Sequence, residues 1–135
     1  MDLVVDANIV IAALISPTGH TADLFFSLLL SVFAPELLLA EVEEHKKELL
    51  QKTGLSAKDF KQLVAFLSRD IRFFPTIELL PFLPKAKEVS PDPDDVAYFA
   101  LALKLRCPLW SNDKLLQSQA AVKVISTAEL LKLLS

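Results

Sequence analysis

Short apolar runs alternate with longer amphipathic segments along the chain, and this alternation is the feature that most restricts the fold. The runs are DLVVD at residues 2–6, SVFA at 31–34, IRFF at 71–74, PLW at 108–110 and VKVI at 122–125. Such short, apolar runs are typical of buried parallel strands. Because they alternate with helical segments, we predict an α/β fold with a parallel sheet that is covered by helices on both faces.

The segments between the runs carry helix start and stop signals. A first helix is predicted from about Asn8 to the break SPTGH, and a second from about Thr21 to Leu30. PELLLAEVEEHKKELLQKTG begins with proline, carries acids early and lysines late, and ends at Gly54, which predicts one long helix. Further helices are predicted to begin at Ser56, near Thr76 with interrupting prolines, at Asp92, within NDKLLQSQ, and at Ser126 or Thr127.

The composition limits the kinds of protein that this chain can be. The 135 residues are expected to form one domain, residues 1–135. Hydrophobic residues make up 53% of the chain and the mean hydropathy is +0.43, which indicates a surface reserved for a partner or a second copy. The single cysteine, Cys107, excludes an internal disulfide and a cysteine-based metal cluster, and it is interpreted as a small core residue.

Membrane and secretion signals are not expected. The longest apolar stretch, Leu24 to Ala34, contains two serines and is too short to span a bilayer. The first residues carry no basic region, so no signal peptide is predicted. These features favour a cytoplasmic protein.

The net charge does not exclude nucleic acid as a partner. The chain has 17 acidic residues and 14 Lys and Arg, for a formal charge of −3, whereas phosphate binding usually requires a basic surface. If several acids are bound to cations, however, the remaining charge is close to balanced.

Acidic residues recur where active sites of open parallel sheets gather, at the carboxyl ends of the strands. Asp6 ends the first strand, and Asp113 follows the PLW strand. Asp95, in VSPDPDDVAYFALAL, is predicted in the first turn of the helix that precedes PLW. Glu41 lies in the predicted long helix, and the positions three, four and seven residues later, Glu44, His45 and Glu48, share its face.

Each acid also has a purely structural interpretation. Asp6, Asp92 and Asp113 are suited to capping helix starts, with Pro93 in the first helical position after Asp92. Glu41 is suited to a solvated helix face, paired with Lys47 or His45.

Two of the acids nevertheless follow apolar strands, where a carboxylate is costly unless it is paired or bound to a cation. No lysine or arginine adjoins Asp6 in the sequence. A group of carboxylate ligands favours a hard cation such as Mg²⁺ or Mn²⁺ over zinc.

Four segments taken together resemble the PIN-domain family of metal-dependent ribonucleases: VVDANIVIAAL, LLLAEVEEH, DPDDVAYFALALKL and LWSNDKLL, in this order. The resemblance covers almost the whole chain and implies a three-layer α/β/α sandwich with a parallel sheet of about five strands. The residues that match the family's acidic, metal-binding and catalytic positions are Asp6, Glu41, Asp95 and Asp113. Asn8 and Ser111 match its supporting polar positions, and Asp92 is assigned a supporting role as a cap; the roles of Asp94, Glu44 and His45 stay open.

The resemblance implies hydrolysis of RNA phosphodiester bonds with Mg²⁺ or Mn²⁺, giving a 5′-phosphate and a 3′-hydroxyl. It also suggests a homodimer and the toxin half of a toxin–antitoxin pair, with an antitoxin protein as partner. Two alternatives remain at the level of sequence. One is a catalytically inactive interaction module on the same scaffold. The other is a magnesium-dependent phosphatase or phosphoacceptor domain, which Asn8 disfavours because the haloacid-dehalogenase pattern has an aspartate there.

Overall fold

The computed structural model describes residues 1–135. Its centre is a sheet of five strands, all parallel, in the order β3-β2-β1-β4-β5. The strands are β1 (Asp2–Val5), β2 (Ser31–Pro35), β3 (Ile71–Phe74), β4 (Leu109–Trp110) and β5 (Val124–Ile125). All five coincide with the apolar runs of the sequence to within two residues at each end, and the predicted fold class is confirmed.

Nine helices connect and cover the strands. They are α1 (Ala7–Ile15), α2 (His20–Phe25), α3 (Leu37–Glu44), α4 (Lys46–Thr53), α5 (Ala57–Ser68), α6 (Thr76–Leu79), α7 (Leu83–Val89), α8 (Val96–Leu105) and α9 (Thr127–Leu134), with 3₁₀ helices at Leu80–Phe82, Pro93–Asp95 and Lys114–Ser118. No helix is long and apolar enough to span a membrane.

The helices form two groups around the sheet. Helix α1 packs against α2, α3, α4 and α5, and α9 packs against α2. On the other side α8 packs against α6 and α7 and lies across β1, β2 and β4. This arrangement buries one continuous apolar core in which the largest side chain is Trp110, which is fully buried. The small residues Ala100 and Ala102 of α8 are also buried, which allows α8 to lie close to the sheet.

The order of the strands creates a switch point. The chain passes from β1 to β2 and β3 on one side, and returns through α6, α7 and α8 to place β4 on the other side of β1. The carboxyl ends of β1 and β4 therefore lie side by side, with Val5 in register with Trp110. In open α/β sheets this is the position where ligands bind.

The predicted long helix is two helices. Pro35 belongs to β2, and the chain turns at His45, where φ is −92° and ψ is 2°, before α4 begins at Lys46. Neither glycine nor proline marks this break, so the sequence pattern reads as continuous. The change of direction lets both α3 and α4 contact α1, and it removes Glu48 from the helix that carries Glu41.

The predicted second helix is also shorter than expected. It ends at Phe25, and the apolar residues beyond it are not buried: Leu28 is fully exposed and Leu29 is 60% exposed. The Ser27 hydroxyl accepts a hydrogen bond from the Leu29 amide at 3.2 Å, a local alternative to helical bonding that serine often provides.

Cys107 is half-buried and free, and it packs at the edge of the core. Burial, the largest cause, raises the pKa of its thiol to about 11, so the thiol stays protonated at neutral pH.

The left-handed turn at Gly54 gives a test of the fold. Gly54 ends α4 with φ +69°, and a Cβ built there meets no atom within 4 Å. We expect Gly54→Ala to lower the free energy of unfolding by about 1 kcal/mol, because a side chain is strained in this conformation. Gly54→Asn should lose less, since asparagine tolerates it, and urea unfolding monitored by circular dichroism measures both. Equal stability of the alanine variant and the wild type would contradict this account of the turn.

Candidate acidic site

Asp6 lies immediately after β1 and is almost completely buried, with 3% of its surface exposed. Its carboxylate accepts a hydrogen bond from the amide of Ile9 at 3.0 Å and so caps α1, as the structural interpretation predicted. Burial raises the pKa of Asp6, and hydrogen bonds from Ser111, Ile9 and Asn8 partly oppose this rise. Asp6 is therefore a carboxylate that the fold keeps away from water.

Ser111 is the corresponding residue after β4, and it is fully buried. Its hydroxyl partly opposes the rise in the pKa of Asp6, and its Oγ accepts a hydrogen bond from the amide of Asp113 at 3.1 Å. Ser111 therefore connects two of the predicted acids. The backbone amide of Asn8 helps to lower the pKa of Asp6, while Asn8 itself is exposed.

Asp113 is exposed at the start of the 3₁₀ helix that follows β4. Its Oδ1 accepts a hydrogen bond from the amide of Leu115 at 3.0 Å, so it too is a cap. Its negative charge raises the pKa of both Asp6 and Asp95.

The three aspartates of SPDPDD have different environments. Asp92 caps the 3₁₀ helix by accepting a hydrogen bond from the amide of Asp94 at 2.9 Å, and Asp94 is exposed. Asp95 is half-buried, lies at the N-cap position of α8, and makes no side-chain capping bond. It was predicted in the first turn of this helix, and it lies one residue before it because residues 93–95 form the 3₁₀ helix.

Asp95 is the acid of this group whose pKa is shifted furthest from its usual value. Burial, the largest cause, together with the negative charges of Asp6, Asp92, Asp113 and Glu41, raises its pKa to about 7. Since these charges act on one carboxylate, the structure brings all four predicted acids into one electrostatically coupled group. We call Asp6, Glu41, Asp95 and Asp113 the acidic site.

Glu41 is half-buried on α3 and accepts a hydrogen bond from the hydroxyl of Tyr98 at 3.1 Å. Burial raises its pKa, the Tyr98 bond lowers it, and the charges of Glu44, Asp6 and Asp94 raise it further. The interpretation of Glu41 as part of a solvated stripe paired with Lys47 or His45 is wrong. Glu44 and His45 are exposed, and His45 lies 3.6 Å from Glu48 instead.

Tyr98 is the site residue that the sequence pattern did not reveal. It is the only tyrosine of the chain and lies three residues after Asp95, in a helix whose other residues are apolar except Lys104. A signal was available, because a tyrosine in a buried helix needs a hydrogen-bond partner for its hydroxyl. The sequence does not say which acceptor it finds.

The chemistry of the donor set fits a hard divalent cation. The acidic site offers only carboxylate oxygens, and none of its members forms an ion pair with lysine or arginine. No three Asp, Glu, His or Cys side chains form a preassembled metal-binding group, however. Holding a cation therefore requires side-chain adjustment that draws the carboxylates together.

The fold and this site together define an α/β protein with an acidic centre at the switch point of a parallel sheet. A model of the PIN domain matches residues 4–134, so the chain belongs to the PIN-domain family, whose members are generally nucleases. No curated protein matches the chain.

The raised pKa of Asp95 predicts how stability depends on pH. Its folded value, about 7, lies above the usual 3.8, so the folded state binds the proton more tightly and loses stability as pH rises between these values. With EDTA present, Asp95→Asn should melt at the wild-type temperature near pH 4 and a few degrees above it at pH 8.

Asp70→Asn, in the exposed turn before β3, is the control for removing one acidic charge. Melting curves followed by circular dichroism at several pH values provide the measurement. A difference that does not vary with pH would contradict the coupled group.

Proposed function

We propose that this protein is a metal-dependent endoribonuclease and that the acidic site is its catalytic centre. The observation that carries the proposal is a group of four carboxylates, without cationic partners, at the switch point of the sheet. Three of them, Asp6, Glu41 and Asp95, are buried or half-buried and have a raised pKa. For folding alone this is unfavourable, and a bound cation would remove the repulsion.

The roles of the residues follow from their positions. Asp6, Glu41, Asp95 and Asp113 would hold Mg²⁺ or Mn²⁺, and Ser111 would orient Asp6 and Asp113. A divalent cation bound there supplies charge neutralisation at the scissile phosphate and acidifies a water for attack on phosphorus. No histidine or serine nucleophile is required.

RNA is the proposed substrate because the family consists generally of nucleases and the site carries the ligands for phosphodiester hydrolysis. Arg69 and Arg72 lie before and within β3, near the amino ends of the strands, whereas the acidic site lies at the carboxyl ends. Their guanidinium groups lie over Phe66 and Phe74. These two arginines are therefore not placed beside the acidic site.

The cellular role is proposed as the toxin of a toxin–antitoxin pair, acting in the cytoplasm as a homodimer. An exposed apolar surface supports association with a protein: Leu28, Leu29, Phe26 and Phe66 are all at least 41% exposed, and the two phenylalanine rings lie 5.3 Å apart. Light scattering measures the mass in solution, and a monomer would contradict the proposed dimer.

The nuclease activity is tested by removing single carboxylates. Asp6→Asn keeps a side chain that can cap α1, and Asp95→Asn removes no capping bond, so both should fold. We expect each to lower Mn²⁺-dependent cleavage of single-stranded RNA by more than the roughly 10–100-fold effect of losing an outer-shell partner.

Asp70→Asn is the matched control and should cleave like the wild type. Circular dichroism verifies the fold of each variant. Wild-type activity in both site variants would show that the site is elsewhere, and an inactive wild type would favour an interaction module.

Cation binding gives a test that is independent of cleavage. Because Mn²⁺ would bind the folded state only, we expect it to raise the melting temperature of the wild type in proportion to the logarithm of its concentration. Asp6→Asn should show little of this rise, whereas Asp70→Asn should show all of it. An equal rise in all three proteins would mean that the cation binds outside the acidic site.

A further inference from the structure

Tyr98 occupies an unusual position for a residue of the core. Its side chain is 1% exposed on α8, yet its hydroxyl donates to a carboxylate, Oε1 of Glu41, at 3.1 Å. The two side chains that it joins are 57 residues apart in the chain. The bond connects α3, in the α1 group of helices, with α8, in the other group.

Satisfying the tyrosine hydroxyl does not by itself require a glutamate. A backbone carbonyl or a neutral side chain would be a sufficient acceptor for a buried hydroxyl. Glu41 instead lies half-buried, and the charges of Glu44, Asp6 and Asp94, which raise its pKa, are negative like its own. The fold thus maintains an unfavourable carboxylate at this position, which favours a role in function over a role in folding.

Two residues connect helix α8 with the acidic site. Asp95 lies at its start, and Tyr98 lies three residues later, within one turn. The helix is anchored across β1, β2 and β4, which include the strands that Asp6 and Ser111 follow. A rigid element therefore presents one carboxylate directly and contacts a second through a hydroxyl.

We propose that Tyr98 is a positioning residue of the acidic site: its hydroxyl holds Oε1 of Glu41 and leaves Oε2 available to a divalent cation. The inference rests on the proposed function, since it assigns Glu41 to the cation. Such partners, which orient a ligand without touching the metal, typically contribute 10–100-fold to metal affinity.

The experiment is a double-mutant cycle on Mn²⁺ affinity, measured by isothermal titration calorimetry of the full chain. Tyr98→Phe keeps the ring and removes only the hydroxyl, and Glu41→Gln removes the carboxylate charge. We expect Tyr98→Phe to weaken Mn²⁺ binding about tenfold. In the Glu41→Gln background the same change should have little further effect, because Tyr98 acts through Glu41.

Cleavage kinetics separate positioning from a general loss of structure. In Tyr98→Phe, kcat should fall at low Mn²⁺ and return toward the wild-type value at saturating Mn²⁺, while KM for RNA stays unchanged. Thr53→Val removes a hydroxyl that donates to the Leu49 carbonyl at 2.8 Å at the end of α4. This control should lower the melting temperature without changing Mn²⁺ affinity.

The outcomes are distinguishable. If Glu41→Gln weakens Mn²⁺ binding but Tyr98→Phe lowers only the melting temperature, Tyr98 is a core residue and the proposed function stands. An additive cycle, in which both single losses persist in the double variant, would also overturn the inference. If the wild type binds no Mn²⁺, the proposed function fails and the positioning role fails with it.

Discussion

The parallel pairing of β1 with β4 is the constraint on which the rest of the structure depends. The two strands are more than 100 positions apart in the chain, and their pairing brings the residues that follow them together. Ser111 therefore lies beside Asp6, and its Oγ also accepts a hydrogen bond from the amide of Asp113. The pairing also requires α8 to cross the sheet on the way to β4, because β4 lies on the far side of β1 from β3. The start of α8 thereby reaches the same edge and brings Asp95 to the site.

Capping and cation binding are compatible roles for these aspartates. Asp6, Asp92 and Asp113 each accept a hydrogen bond from a backbone amide at the start of a helix. A carboxylate has two oxygens with several lone pairs, so one amide bond leaves capacity for a ligand. Asp95 makes no capping bond, and burial together with the charges of the other acids raises its pKa to about 7.

The fold was predictable where the local signal and the tertiary packing agree. All five strands, the end of α4 at Gly54 and the Ser56 and Ser126 caps follow from apolar runs and capping residues that act over a few positions. The break at His45 and the end of α2 at Phe25 were missed. The break at His45 accompanies the packing of both α3 and α4 against α1. The early end of α2 accompanies a turn at Ser27 that leaves Leu28 and Leu29 exposed. Neither is encoded by helical periodicity.

The sequence by itself determined which residues are acidic, their order along the chain and their placement after strands or at helix starts, because these depend on local patterns. The tertiary structure decided how they interact. It buried Asp6 and Ser111, left Asp113 exposed, and gave Glu41 a partner 57 residues away in Tyr98. Burial and through-space repulsion depend on every element that packs around a group, and no local stretch of sequence specifies them.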